Sequence, residues 1–534
     1  MKFKNRLREI FVLMFLSITP FLCGAELNKA RIIPIEEGAI QNAGIGTEIW
    51  NGGPSAGYSF LVKYAVELQK PALNSMIRVS WRDYEKEEGV YLFEQKMDPV
   101  FRTALKYNQK LNVGVFMCDL PTYDRKIDTD LTRSDEEIAT MQYPQYVHEA
   151  MQKSADKDQT HRKRPNDLPR WVPNYKNDYF FQRYDALLKA FSEYLEGGIS
   201  FEGKTVARKK LIRIIEIRFY GTFGEGLYSD PFVPEKSEYL IRFAKLYLKY
   251  FPDIRLAAPT LGMMYLPELA PTSDYLFFLL NAKNKAGAIG LFRDNWGDND
   301  DMNMYRISFY KDNKFEKDGK KMFELIRDRW KTAPMLGEPG KFQPKKGENG
   351  FFIPYHNIIE QVSYLHPACI RNCNVSVGVK TRYNSAGFNI KDDPIGLANW
   401  HWAYSLMGFR MIMVPQEAQK EGSNLKIALG WENIGLTPVY DRWTIKYFAE
   451  DQNGKEIWKQ ESSLNIQKIY PNGLIPPGKF DPEKMIPHRD TLIDFPIGHD
   501  LYLRIEDPDG ISPPMALSID GRRKDGSYFI GRID

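Results

Sequence analysis

The chain predicts an α/β fold: a (β/α)8 TIM barrel followed by a C-terminal β-sandwich. Three observations point there. Short apolar runs alternate with helical patterns over roughly the first 400 residues, the signature of βαβ units and a parallel sheet. Two of these runs close on a Gly-Glu step, Gly224-Glu225 and Gly337-Glu338, which is how the C-terminal end of a barrel strand presents a carboxylate. After about Arg410 the helical patterns stop, and alternating segments separated by turn signals begin.

The first 25 residues read as a secretory signal peptide. Lys2, Lys4, Arg6 and Arg8 form a charged start, and Ile10 to Ile18 form an apolar run too short to span a bilayer. Cys23-Gly24-Ala25 puts small residues at a cleavage site after Ala25. A lipid anchor on Cys23 is the weaker alternative, because Leu22 before it is bulky for such a site. The expected localisation is periplasmic or extracellular, with no transmembrane segment.

Residues 26–409 are assigned to the barrel. Strands are expected at Gly44 to Trp50, Ser75 to Trp81, Leu111 to Met117, Leu211 to Tyr220, Ile254 to Ala258, Ala288 to Arg293 and Pro334 to Gly337, with the eighth at Val375 to Val379. Helices are expected at Phe60 to Gln69, Pro99 to Tyr107, Tyr179 to Leu195, Lys236 to Tyr250 and Lys320 to Lys331. The longest insertion, from about Asp119 to Asp178, follows the third strand and so belongs to the face where barrel active sites lie. Residues 410–534 are assigned to the sandwich, on segments such as Leu425 to Trp431 and Trp443 to Phe448 and turns such as Asp507-Pro508-Asp509-Gly510.

Composition narrows the function. A net charge of +4 with interspersed signs excludes a dedicated nucleic-acid binder. The 10 Trp, 30 Tyr and 32 Phe fill cores first, and a surplus suits stacking on sugar rings. Seven scattered His, with no HExxH, exclude a zinc hydrolase of that type, and there is no GxSxG elbow or Walker A loop. No metal or other cofactor is required. Cys369 and Cys373 are either a disulfide or two buried thiols.

Glu225 and Glu338 carry the chemistry. Two facing carboxylates are the equipment for cleaving a glycosidic bond, one as acid/base and one as nucleophile. A single Gly-Glu is more often a helix start or an ion-pair partner; two at strand ends favour catalysis. Substrate contacts are expected from Glu48, Arg78, Trp81, Tyr220, Asp294 and Trp296, at or near strand ends, and from Trp400 in the aromatic patch Asn399-Trp400-His401-Trp402 at a predicted helix start after strand eight. Arg78 is equally suited to pairing with a barrel carboxylate. Trp296 is equally suited to packing, and packing between barrel and sandwich is the commoner role for the Trp400 patch. The run His161-Arg162-Lys163-Arg164 would steer an anionic glycan, although a solvated loop is its commoner role. Asp298-Asn299-Asp300-Asp301 lacks the Gly and Glu of a calcium loop and reads as an acidic turn.

The order of these parts resembles the superfamily of retaining barrel glycoside hydrolases called clan A, whose acid/base ends strand four and whose nucleophile ends strand seven. The stretches Arg78 to Tyr91 and Arg170 to Tyr175 are similar to segments of these enzymes. Gly408-Phe409-Arg410 and Gly430 to Pro438 resemble a bacterial family of uncharacterised barrel proteins with a trailing sandwich. The resemblance implies a secreted hydrolase of poly- or oligosaccharides acting by double displacement, with Glu225 as acid/base and Glu338 as nucleophile. One residue departs from the pattern: Gly224 stands where these enzymes carry the Asn that contacts the sugar 2-hydroxyl. That departure keeps a second reading open, a non-catalytic glycan-binding protein on the same barrel. A third places all binding in the sandwich.

Overall fold

The computed structural model describes residues 25–38, 40–51, 73–117, 134–161, 169–221, 224, 236–259, 270–296, 316–339, 358–371, 394–474 and 478–534. Eight parallel strands close into a barrel: β1 (Gly46–Asn51), β2 (Asn74–Ser80), β3 (Lys110–Phe116), β4 (Ile212–Glu216), β5 (Arg255–Pro259), β6 (Gly290–Trp296), β7 (Met335–Pro339) and β8 (Cys369–Arg371). Each pairs with its sequence neighbours, and β8 pairs with β1 to complete the ring. Strands covered on both faces need near-continuous apolar runs, and Ile212-Arg213-Ile214-Ile215 or Leu256-Ala257-Ala258 supply them. Ile214, Ala257, Phe292, Leu336 and Cys369 meet inside the barrel as one apolar layer.

One expected strand is corrected. The ring closes with Cys369–Arg371, not with Val375 to Val379, which lies outside the described residues. Three residues suffice because the strand needs only to bridge β7 and β1, and the pairs Leu336↔Cys369 and Cys369↔Gly46 do that.

The outer helices bury one stripe each. α1 (Phe93–Lys106) begins six residues before the expected Pro99, which sits inside the helix. α2 (Asp178–Glu196) starts where the Asn177 side chain accepts a hydrogen bond from the Phe180 N–H, satisfying a donor that a helix start leaves open. It buries Phe180, Tyr184, Leu187, Leu188, Phe191 and Leu195, the spacing of one helix face. α3 (Ser237–Tyr250) packs beside it, with ring contacts from Phe243 to Phe180 and Tyr184. α4 (Pro394–Leu406) follows β8 and holds Trp400 in its middle rather than at its start. The expected helix Phe60 to Gln69 lies outside the described residues. No described helix is long and apolar enough to cross a membrane.

The C-terminal region is two antiparallel sheets. One comprises β9 (Met411–Glu421), β10 (Asn424–Asn433) and β13 (Ile486–Leu492). The other contains β11 (Thr444–Glu450), β12 (Glu456–Glu461), β14 (His499–Glu506) and β15 (Tyr528–Ile533). Its fifth strand comes from the other end of the chain: Ala25–Leu27 pairs antiparallel with β15. The segment before the barrel is therefore part of the sandwich. Arg410 ties it in, donating to the Gly38, Ile33 and Pro34 carbonyls and to Ser518 Oγ. Inward residues of both sheets, among them Ile427, Leu429, Tyr447, Leu503 and Ile530, form a second core.

Candidate active site

The described part of the barrel interior carries charge above its apolar layer. Glu48 on β1, Asn112 on β3, Glu216 on β4, Glu338 on β7 and Arg371 on β8 all project inward. Arg371 is fully buried and binds three carboxylates. Its Nε donates to Glu48 Oε2 at 2.7 Å, its Nη1 to Glu338 Oε1 at 2.9 Å, and its Nη2 to Glu216 Oε1. Arg218 Nε donates to Glu216 Oε2 at 2.7 Å, and Asn112 donates to Glu48 Oε1. Arg78 Nη2 lies 3.6 Å from Glu338 Oε1. Phe292 floors the group, with the Arg218 and Arg371 guanidinium carbons 3.8 and 4.3 Å from its ring centre. Three glutamates thus face three arginines, the pairing that buried charge requires.

Two of these glutamates are pushed in opposite directions. Burial pushes the Glu48 carboxyl above its ordinary range and Glu216 adds to this, while Arg371 opposes without reversing it. Burial acts on Glu338 in the same sense, but the charges of Arg371, Arg78 and Arg218 outweigh it and hold Glu338 below the usual carboxylate range. Glu338 is thereby kept as an anion. Its ion pairs run through Oε1, and no described residue hydrogen-bonds Oε2.

Position follows from the strands. Glu338 is the fourth residue of β7, one step beyond the pair Gly337↔Ile370 and level with Arg371. Trp296 at the end of β6 pairs in register with Pro339, and its indole packs on the Gly337 backbone, leaving no room there for a β-carbon. Trp296 is fully buried. It forms a wall of the site against the Gly337 backbone.

Trp81 is likewise buried completely, against Phe180 at 5.6 Å and Tyr184 at 5.4 Å, with its indole N–H donated to Glu85 Oε2 at 2.7 Å. Its expected role as a sugar contact is corrected: it turns outward from the end of β2 into the helix layer. Tyr220 is buried beside Tyr175, 5.4 Å between ring centres. Glu48 and Arg78 do join Glu338, as partners in the charge network. Asp294 lies on β6 and Trp400 on α4, but their side chains, like Glu225 as a whole, lie outside the described residues. Arg162, Lys163 and Arg164 also lie outside them. Cys369 is a free, buried thiol whose pKa burial pushes up to about 12, and Cys373 lies outside the described residues.

The backbone explains the departure at Gly224. Its φ is +64°, and a β-carbon there would fall on the Arg218 carbonyl and within 2.7 Å of Arg218 Cβ. The Gly224 N–H donates to the Gly221 carbonyl at 3.0 Å, and Gly224 lies against the backbone of the arginine that holds Glu216. Glycine fits here without strain, and an Asn would force the Arg218 backbone to shift.

Sequence reasoning had not singled out Glu216, Arg218, Asn112 or Arg371 as site residues. Arg371 had a signal: a cation closing the short apolar run Ala368-Cys369-Ile370 is the same pattern that identified Glu338.

No family model matches the chain, and no curated protein matches it. Among solved structures it is similar to the catalytic domain of a β-amylase from Paenibacillus polymyxa, at 10% identity and TM-score 0.40, covering 66% of this chain and 99% of that one. It is also similar to a family 39 glycoside hydrolase from the gut symbiont Bacteroides cellulosilyticus WH2, at 12% identity and TM-score 0.36, covering 87% and 83%. A third likeness is to a family 5 glycoside hydrolase from Prevotella bryantii B14, in complex with a xyloglucan tetradecasaccharide, at 9% identity and TM-score 0.36, covering 68% and 99%.

Proposed function

We propose that this protein is an exported glycoside hydrolase that cleaves a poly- or oligosaccharide by double displacement. The observation that carries the reading is Glu338: a carboxylate near the end of the seventh barrel strand, held as an anion by Arg371 and Arg78 through one oxygen, with no described hydrogen bond on the other. In the first step Glu338 Oε2 attacks the anomeric carbon, the bond to the leaving oxygen breaks, and Glu225 gives that oxygen its proton. In the second, Glu225 takes a proton from water, and the water oxygen displaces Glu338 from the anomeric carbon. Arg371 and Arg78 keep Glu338 from competing for the proton that Glu225 must carry.

A second reading, a glycan binder without turnover, is favoured by Gly224, whose backbone disfavours the Asn that would contact the sugar 2-hydroxyl. Hydrolysis across a panel of aryl glycosides and plant, algal and host polysaccharides separates the two. The enzyme reading expects release of sugar by the wild type and loss of several orders of magnitude in both Glu225→Gln and Glu338→Gln. Binding of one glycan by all three proteins with no release establishes the binder instead.

A further inference from the structure

The long insertion after β3 contains a polar row that the barrel chemistry does not use. Gln159–His161 and Arg170–Val172 pair antiparallel, with His161 directly opposite Arg170. Thr140 bridges to Arg170 from the other side, and the Trp171 N–H donates to the Thr140 carbonyl at 2.6 Å. Residues in register across a sheet share a face. Thr140, Arg170 and His161 therefore stand side by side, the last two on paired strands and Thr140 on an isolated bridge. Trp171, one residue on, points the other way, where its ring meets His148 at 4.5 Å.

Arg170 is the unusual member. It is 1% exposed, and all three guanidinium nitrogens are buried without a hydrogen-bond or ion-pair partner among the described residues. Thr140 Oγ1 beside it is also buried without a hydrogen-bond partner there, and His161 Nε2 is buried. The three arginines of the Glu338 network each have a carboxylate. A guanidinium taken from water needs a partner, and its planar fork matches the two oxygens of a carboxylate or the edge of a sulfate.

The row is tied to the barrel mouth. Ser80, the last residue of β2, donates through Oγ to Gln142 Oε1 at 2.7 Å, and the Arg82 N–H donates to the Gln142 carbonyl at 3.0 Å. Gln142 is two residues from Thr140, and Ser80 is two residues from Arg78 of the Glu338 network.

We propose that Arg170, flanked by His161 and Thr140, forms an oxyanion subsite that holds a carboxylate or sulfate group carried by the saccharide. The subsite rests on the glycan reading for its ligand, but its binding chemistry can be measured without turnover.

The test is thermal unfolding of the full chain in glucuronate, in inorganic sulfate and in glucose at matched ionic strength, for wild type, Arg170→Met, Arg170→Lys and Thr140→Val. Sulfate stabilises proteins generally, so the quantity read is the wild-type gain beyond that of Arg170→Met. In buffer alone Arg170→Met should melt higher than wild type, because a buried unpaired charge is gone. Adding the anion should raise the wild type and leave Arg170→Met behind, with affinity lowered roughly tenfold or more in Arg170→Lys, which keeps the charge and loses the fork. Thr140→Val, nearly isosteric, should show a smaller gain than wild type and serves where Arg170 variants fail to fold. A gain with glucuronate but not sulfate assigns a uronate; the reverse assigns a sulfated sugar. Equal responses of wild type and all variants to both anions overturn the subsite. If the anion response is present and no glycan is cut, the subsite stands and the hydrolase reading falls.

Discussion

At the scale of single residues, Glu338 and Gly224 make opposing demands that can each be tested. Arg78 is the partner of Glu338 that can be removed most gently: it is partly exposed, and Arg371 remains when it is gone. Arg78→Met should fold normally. It removes one of the charges that hold Glu338 low, so the acid limb of kcat/KM should move up by roughly one pH unit. The same shift has a stability consequence. The depressed Glu338 contributes stability above its unfolded pKa near 4.3, and that contribution is lost as pH falls through the folded value. Arg371 cannot be removed so gently. Arg371→Met leaves Glu48, Glu216 and Glu338 buried together and should cost about 3–5 kcal/mol in a denaturant titration at pH 7. At Gly224, writing in the missing Asn should not improve the site. Gly224→Asn should lower stability by about 1–3 kcal/mol and lower activity, because the left-handed turn and the Arg218 carbonyl leave no space for a β-carbon. Higher activity in this variant would show that the turn is not needed as it stands.

The elements show what the sequence made readable and what it hid. Buried parallel strands announce themselves as apolar runs, so Met76-Ile77-Arg78-Val79 and Ile212 to Ile215 could be read directly. The eighth strand could not. Cys369-Ile370-Arg371 is short, and the more β-branched Val375 to Val379 competes with it. Misplacing that strand hid Arg371, the hub of the site. Trp81 misled for a different reason: an aromatic residue at a strand end looks the same in sequence whether it turns to the mouth or to the helices. Glu338 was legible as an inward carboxylate because a Gly-Glu step closes its apolar run, whereas the partners that set its charge lie on strands far apart in sequence.

Another element joins the two regions. The helix Ile358–Leu365 ends at His366, whose ring stacks on Trp330 at 4.2 Å and whose Nδ1–H donates to the Leu436 carbonyl at 2.6 Å. Burial holds the imidazole below its ordinary pKa, and Lys331 adds to this. A base depressed in the folded state contributes stability above its unfolded pKa near 6.5, and that contribution is lost as pH falls below it. Wild type should therefore lose stability between pH 7.5 and pH 5.5, and His366→Asn should lose less. Asn suits the positive φ of 50° at this position. Identical pH slopes in the two proteins would remove His366 from the account of the junction.

At the scale of the whole molecule, the segment that precedes the barrel returns to the C-terminal sheets. The strand Ala25–Leu27 covers β15, and Ile35 and Arg410 lock the segment that follows it. A fragment of residues 410–534 lacks that strand and exposes the β15 edge, which invites pairing with other copies. It should aggregate or melt well below the full chain, and the same fragment supplied with residues 25–38 through a flexible linker should recover. If the fragment alone is as stable as the linked form, the N-terminal strand is ornamental. The division into barrel and sandwich was legible from the loss of helical patterns after Arg410. The pairing of Ala25–Leu27 with the C-terminal sheet was not, because three residues carry no periodicity.

The central claim is that Glu338 becomes covalently bonded to the sugar. The direct measurement is trapping with an activated 2-deoxy-2-fluoro glycoside of the sugar that the panel identifies, followed by peptide mapping by mass spectrometry. The fluorine slows both steps, and the good leaving group lets the first outrun the second, so the glycosyl-enzyme accumulates. The account predicts one added sugar per chain on the peptide containing Glu338, with activity lost in step and no adduct in Glu338→Gln. An adduct on another residue, or full hydrolysis with no adduct at all, would contradict it.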